Sequence, residues 1–345
     1  MREKLALFHP LNIGGTSLPP NILLMAKLTA SSFLLVHWGS IPGIYLPFLP
    51  ILDSLPSLVS WRVVLQVIFL FAFVFLMMNW RPRAACITLG LVIVASVVAS
   101  KPYFNNNKVF AGCILFLAGL TTHQGEPWLI RCQVALVYFG AGLNKVLDID
   151  WRSGQFFENW MAGLLHQPLY LAVRALLPPM ALSLIVSWAT IVTELSLAVA
   201  FLVPRLYGRA IVTGVVFHSS ALVLAHSAFG VFYYAMLSAY LAFVRWPSLP
   251  VTLDCGQPDG LCRWARIISG VPAAGHTFRW RSASPGQGVD GAPPGAHVGG
   301  LHVILDDGVY TRWRAWGIAI ALSPATHFVA MLGVMAVLRL GRALL

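Results

Sequence analysis

Apolar residues run along this chain in long blocks, separated by short polar or Pro- and Gly-bearing interruptions. A helix needs about 20 apolar residues to cross the hydrocarbon core of a bilayer. Eight stretches approach that length: 20–38, 59–79, 84–100, 109–122, 130–147, 182–203, 209–226 and 229–245. The pattern predicts an all-α polytopic membrane bundle of about eight transmembrane helices. The third, fourth and seventh stretches are short or carry small and polar residues, which suits tilted or central packing. Segment 39–57 holds Pro42, Pro47, Pro50 and Pro56 and is apolar enough to lie in the membrane interface. Segment 151–180 mixes Arg152, Glu158, His166 and Arg174 with Trp151, Phe156 and Trp160, and stops at Pro178-Pro179. That mixture predicts an interfacial amphipathic helix and a connector.

The pattern changes after Pro247. Residues 1–247 form the expected membrane domain, and 248–345 a small α+β cytoplasmic region. Its β-like pieces are Val251–Asp254 and Leu301–Leu305, and the Gly- and Pro-rich stretch 282–300 reads as a flexible loop. From Arg314 the pattern is helical again, broken at Ser323-Pro324. Arg339 and Arg342 would sit at the far end of a ninth span, against the positive-inside rule, so an interfacial or domain-packed helix is expected there.

Composition sharpens this picture. Of 345 residues, 58% are hydrophobic and only 10% charged, which excludes an ordinary soluble domain. Mean hydropathy is +0.76. The formal charge of +11 could suggest nucleic acid, but the basic residues lie between and beside the apolar blocks. Charge therefore reads as topology, with the lipid bilayer as partner and no nucleic acid. Arg2, Lys4, Arg81, Arg83, Arg205, Arg209 and Arg245 fall on one side of an eight-span arrangement, predicting both termini in the cytoplasm. Lys101, Lys108, Lys145 and Arg152 fall on the other side, where they suit a polar vestibule. Cys86, Cys113 and Cys132 are isolated in apolar runs, unlike a secreted disulfide framework. Met1–Gly15 shows no apolar region with a cleavage site, so no signal peptide is expected.

Polar residues inside apolar blocks are the candidates for chemistry. Lys145 closes an apolar helix on the face that also carries Tyr138 and Ala141. It either lines a site or snorkels to the headgroups near Asp148 or Asp150. Glu194 lies mid-block and must be paired, protonated or wet, with Lys145, Arg131 and His218 as possible partners. His218 also lies mid-block, with His226 eight residues on. Asn105, Asn106 and Asn107 precede an apolar block, where asparagine caps helices well. No credible metal-ligand spacing is present.

The run Tyr138-Phe-Gly-Ala-Gly-Leu-Asn-Lys145, followed by Asp150-Trp151-x-x-Gly154, resembles the signature of the HTTM family. That family includes the membrane domain of vitamin K-dependent γ-glutamyl carboxylase and bacterial relatives. The resemblance extends over about residues 5–245. It implies a quinone or hydroquinone of the vitamin K kind as cofactor, bound near Tyr138, Trp151 and Asn105–Asn107, with Lys145 as the base. His218 matches a Phe/Tyr-His pattern, and Glu194 joins it as a catalytic candidate. In the family, oxygen adds to the deprotonated quinol, and the strong base formed removes a proton from a glutamate γ-carbon. Asn107 stands where the carboxylase stretch has histidine, and asparagine cannot exchange a proton near neutral pH. The resemblance leaves two readings: Lys145-dependent quinone chemistry, or a non-enzymatic scaffold for maturation or export of a partner peptide.

The region after Pro247 resembles a diverged DCC (DUF393) domain, a thioredoxin-like family sometimes fused to HTTM domains. Asp259-Gly260-Leu261-Cys262 fits its motif, whereas Ala265 stands at the second cysteine and Cys255 lies seven residues upstream. That departure implies a non-redox tail.

Overall fold

The computed structural model describes residues 10–37, 59–122, 127–225, 230–244, 251–255, 278–282, 301–305 and 308–343. Helices dominate. The chain runs through α1 (Pro20–His37), α2 (Val59–Met77), α3 (Pro82–Val98), α4 (Asn106–Leu120) and α5 (Trp128–Leu147). It then turns through α6 (Ile149–Ser153), α7 (Gln155–Phe157), a π-helical turn (Glu158–Leu164) and α8 (Pro168–Arg174). Next come α9 (Ala181–Ala200), α10 (Tyr207–Ala225) and α11 (Gly230–Ala239), the last ending in a 3₁₀ turn (Tyr240–Phe243). The tail holds β1 (Val251–Cys255), β2 (Phe278–Ser282), β3 (Leu301–Leu305), β4 (Gly308–Tyr310), α12 (Arg312–Leu322) and α13 (Pro324–Ala343).

Each of the eight apolar blocks becomes a helix, but crossing length is a stricter condition. Among the described residues, Ala181–Ala200 and Pro204–Leu224 are long and apolar enough to cross a membrane. The bent pair Arg312–Leu322 and Pro324–Val337 makes a third if taken as one span. Pro20–Val36, Arg62–Met77, Pro82–Val98, Asn106–Leu120 and Phe232–Phe243 are apolar but shorter. The expected count of about eight spans is thus met by two or three.

The outer surface is apolar. Val63, Val67, Phe71 and Val74 line an exposed stripe on α2, and Ile185, Val192 and Val199 line another on α9. Soluble proteins rarely leave such stripes open, whereas lipid accepts them. One core runs through the bundle from Ile13 to Phe243 and takes in Met331 and Met335 of α13. The last helix is therefore packed on the bundle, after a 76° bend behind Ser323.

Polar residues of the bundle close the ends of other helices, where the last carbonyls lack intrahelical partners. Lys27 of α1 is fully buried, and its Nζ donates to the carbonyls of Pro10 (2.6 Å), Asn12 (2.9 Å) and Met77 (3.2 Å). Asn21 donates to the carbonyls of Leu241, Ala242 and Val244 at the end of the 3₁₀ turn. Arg83 Nε donates to the Gly119 carbonyl near the end of α4.

In the tail, the four strands form one sheet in the order β2-β1-β3-β4. β1 pairs parallel with β2 and antiparallel with β3, which pairs antiparallel with β4. Leu301 and Val303 pack on Ala315 and Leu322 of α12, giving the small α+β region a core of its own. The loop 39–57, the Asp259–Cys262 motif, Arg245 and residues 283–300 lie outside the described residues.

Replacing Lys27 by Met should leave the carbonyls of Pro10, Asn12 and Met77 without this donor. We expect a loss of about 3 kcal/mol from hydrogen bonds to a charged group, read as a lower midpoint of thermal denaturation in detergent. Asn21→Ala, at a half-buried site, should cost less.

Candidate functional site

Helices α5 and α9 pack closely because Gly142 leaves no side chain between them. A Cβ there would lie 2.8 Å from the Leu195 side chain. One turn on, Lys145 reaches across this contact to Glu194, with Nζ–Oε distances of 2.8 and 2.9 Å. The pair is partly screened from solvent, at 17% and 9% side-chain exposure. Lys145 Nζ also lies 4.8 Å from the centre of the Trp151 ring, within cation–π range. Of the partners open to Glu194 in the sequence, the structure selects Lys145. Asp148 is occupied as the cap of α6, accepting from the Asp150 amide.

Trp151 is delivered by the turn after α5. Gly154 takes φ +80°, and a Cβ on it would lie 2.7 Å from the Leu184 amide, so this turn seats directly on the start of α9. Trp188 of α9 secures it by donating to the Arg152 carbonyl at 3.2 Å. Beyond the turn, Trp151 and Phe156 stack at 4.2 Å, with Phe157 and Trp160 beside them. Glu158 holds this aromatic layer in place by an ion pair to Arg174 and by accepting from the Tyr170 hydroxyl at 2.9 Å. Burial, and then the bond to Glu158, push the Tyr170 phenol up to about 12, so it remains a donor at neutral pH.

These elements enclose a cavity of about 390 Å³. Aromatic rings from α6, α7, the π-helical turn, α10 and α11 share its wall with aliphatic and small side chains of α9 and α10, and Lys145, Glu194 and His218 supply its titratable groups. A mostly apolar cavity with a few convergent polar groups is the ordinary form of a small-molecule site.

His218 is held from behind. Its Nε2 lies 2.8 Å from the Tyr138 hydroxyl, which is hydrogen-bonded in turn to the Tyr240 hydroxyl. Tyr138 and Tyr240 each stack on Phe201, at 5.8 and 5.3 Å. Gly214 makes room for this cluster, since a Cβ there would lie 2.4 Å from the Tyr240 hydroxyl oxygen.

The sequence candidates thus divide. Lys145, Trp151, Glu194 and His218 line one cavity, with Tyr138 directly behind His218. Asn105, Asn106 and Asn107 are not among its lining residues. They stand at the start of α4, where Asn105 caps the helix by accepting from the Asn107 amide at 2.7 Å. Sequence reading missed Phe217, Phe232 and Tyr240, because an aromatic inside an apolar helix carries no mark of its role. Among the described residues, no group of three His, Cys, Asp or Glu could hold a metal ion.

Residues 121–246 match the family model of the HTTM domain. The matched segment contains the whole cavity wall from Lys145 to Phe232. Over that segment the chain is similar to the HTTM domain, and this match and the apolar outer surface are consistent with an integral membrane protein. No curated protein and no solved structure matches the chain.

Lys145 and Glu194 should be strongly non-additive. Lys145→Met alone leaves a desolvated carboxylate and Glu194→Gln alone an uncompensated ammonium, whereas the double variant removes both charges. A double-mutant cycle on thermal stability in detergent should give a coupling of about 2 kcal/mol. Gly214→Ala should weaken the protein by displacing Tyr240, an effect that Tyr240→Phe in the same chain relieves in part.

Proposed function

We propose that this protein binds a quinone-like lipid in the cavity and carries out proton-coupled chemistry on it with the Lys145–Glu194 pair. Eight helices would then traverse or line the bilayer with both termini in the cytoplasm, the orientation the basic loops favour. The observation that carries this reading is the convergence of Lys145, Glu194 and His218 on one aromatic-walled cavity.

A fused aromatic ring system fits that wall. Trp151 and Phe156 offer flat faces, and Lys145 and Glu194 offer a polar pole for a ring oxygen. When bound and reduced, such a ring supplies an ionisable hydroxyl and two electrons to oxygen.

The residues of this chain govern the proton. In the resting pair it sits on Lys145 Nζ, opposite the Glu194 carboxylate. Transfer from Nζ to Glu194 frees the amine, which can then take a proton from a ring hydroxyl. The net result is a protonated Glu194 and a Lys145 ammonium beside the oxygen that lost its proton. Charge is conserved at each stage, and a cation remains beside the new anion. The apolar wall strengthens that attraction by excluding water.

Asn107 stands apart from the cavity, so peptide carboxylation as in the carboxylase gains no support from that position. The mixed sheet of the tail suits the thioredoxin-like reading of 248–345.

The test is turnover by purified protein in detergent, supplied with a reduced naphthoquinone and oxygen and followed by chromatography of the epoxide. Wild type should form epoxide, and Lys145→Ala should lose at least a hundredfold in rate, as expected for removal of an acid–base group. No epoxide from folded wild type would sink the redox reading and favour the scaffold for a partner peptide.

A further inference from the structure

The hydrogen-bond chain behind His218 fixes what that residue can offer to a ligand. Among the described residues, Tyr138 is the hydrogen-bond partner of the Tyr240 hydroxyl. To pair its proton, Tyr240 must donate to Tyr138. Tyr138, having accepted, spends its own proton on Nε2 of His218, 2.8 Å away. Nε2 is therefore the acceptor, and a neutral imidazole then carries its proton on Nδ1. The network thus sets the tautomer. Nδ1 has no hydrogen-bond partner among the described residues, yet it is absent from their fully enclosed unpaired atoms. His218 as a residue is 5% exposed and lines the cavity, which makes the cavity the place open to Nδ1.

We propose that His218 is a second polar anchor of the cavity, donating Nδ1–H to an oxygen of the ligand remote from the one at Lys145–Glu194. The proposal rests on the ring-binding reading above and deepens it. The site selects a flat ring with two oxygen functions over a ring with one. Phe217 and Phe232 set their rings edge-on to the imidazole at 5.1 and 5.6 Å, and Phe201 braces both tyrosines. The donor is thus fixed before the ligand arrives, which limits the ordering cost of using it. Tyr138 and Tyr240 act through His218 and are positioning residues.

The test compares two probes by calorimetric titration of the full chain in detergent without oxygen: 2-methyl-1,4-naphthalenediol and 2-methyl-1-naphthol. Wild type should bind the diol about tenfold more tightly, the value of one buried hydrogen bond. His218→Phe should bring that ratio close to one while naphthol affinity stays unchanged. Tyr138→Phe keeps the ring on Phe201 and removes only the hydroxyl, so it should reduce the ratio even if His218→Phe fails to fold. A purely structural role would weaken both probes together, and that result would overturn the proposal. Equal binding of both probes by wild type would defeat the second anchor but leave the ring-binding reading standing. Binding of neither probe would defeat both.

Discussion

A chain whose outer surface is this apolar has to satisfy its polar groups from within, and that constraint explains where the polar side chains lie. Water cannot complete the last turn of a helix that ends among other helices. Lys27, Asn21 and Arg83 do so instead, each by binding carbonyls at the end of a helix other than its own. The first helix supplies two of these three caps, tying the end of α2 and the end of α11 to one element. Residues far apart in sequence, Asn21 and Leu241 among them, become neighbours for this reason.

The same constraint acts differently on Lys145 and Glu194. Helix-end lysines often reach past the apolar layer to water. Lys145 instead turns inward, because Gly142 brings α9 within reach and Glu194 waits there. The Gly154 turn then folds the aromatic layer over the pair. Cavity and charge arise from one packing decision: two glycines in the Tyr138–Gly154 signature permit close contacts, and the space left beside them is walled by aromatic rings.

Much of the bundle was legible in sequence. Apolar blocks marked every long helix, and the mixed composition of 151–180 marked the amphipathic segment that becomes the cavity's aromatic layer. Lys145, Glu194 and His218 stood out because charged or imidazole groups are costly in apolar runs. Their assembly was not legible, since three cations or imidazoles could have met Glu194 and only packing chooses among them. Crossing length is met by two or three helices among the described residues, which leaves the count of about eight spans an expectation. Asn105 to Asn107 followed the competing principle, in which an asparagine side chain claims the nearest backbone amide.

What remains is why an ion pair stands in the wall at all. A buried pair is no efficient source of stability, since apolar residues of similar volume often serve as well or better. Lys27 answers a structural need, with three carbonyls around it and no carboxylate among its bonded partners. Lys145 answers none of that kind: apart from a long contact to the Ala141 carbonyl at 3.4 Å, its bonds go to Glu194. Glu194 in turn spends both carboxylate oxygens on Lys145. Two costly residues that chiefly satisfy each other, at the rim of a cavity they both line, contribute little that Leu and Met could not. Their chemistry is what apolar side chains lack: a proton that can move between them, and a charge that can follow it.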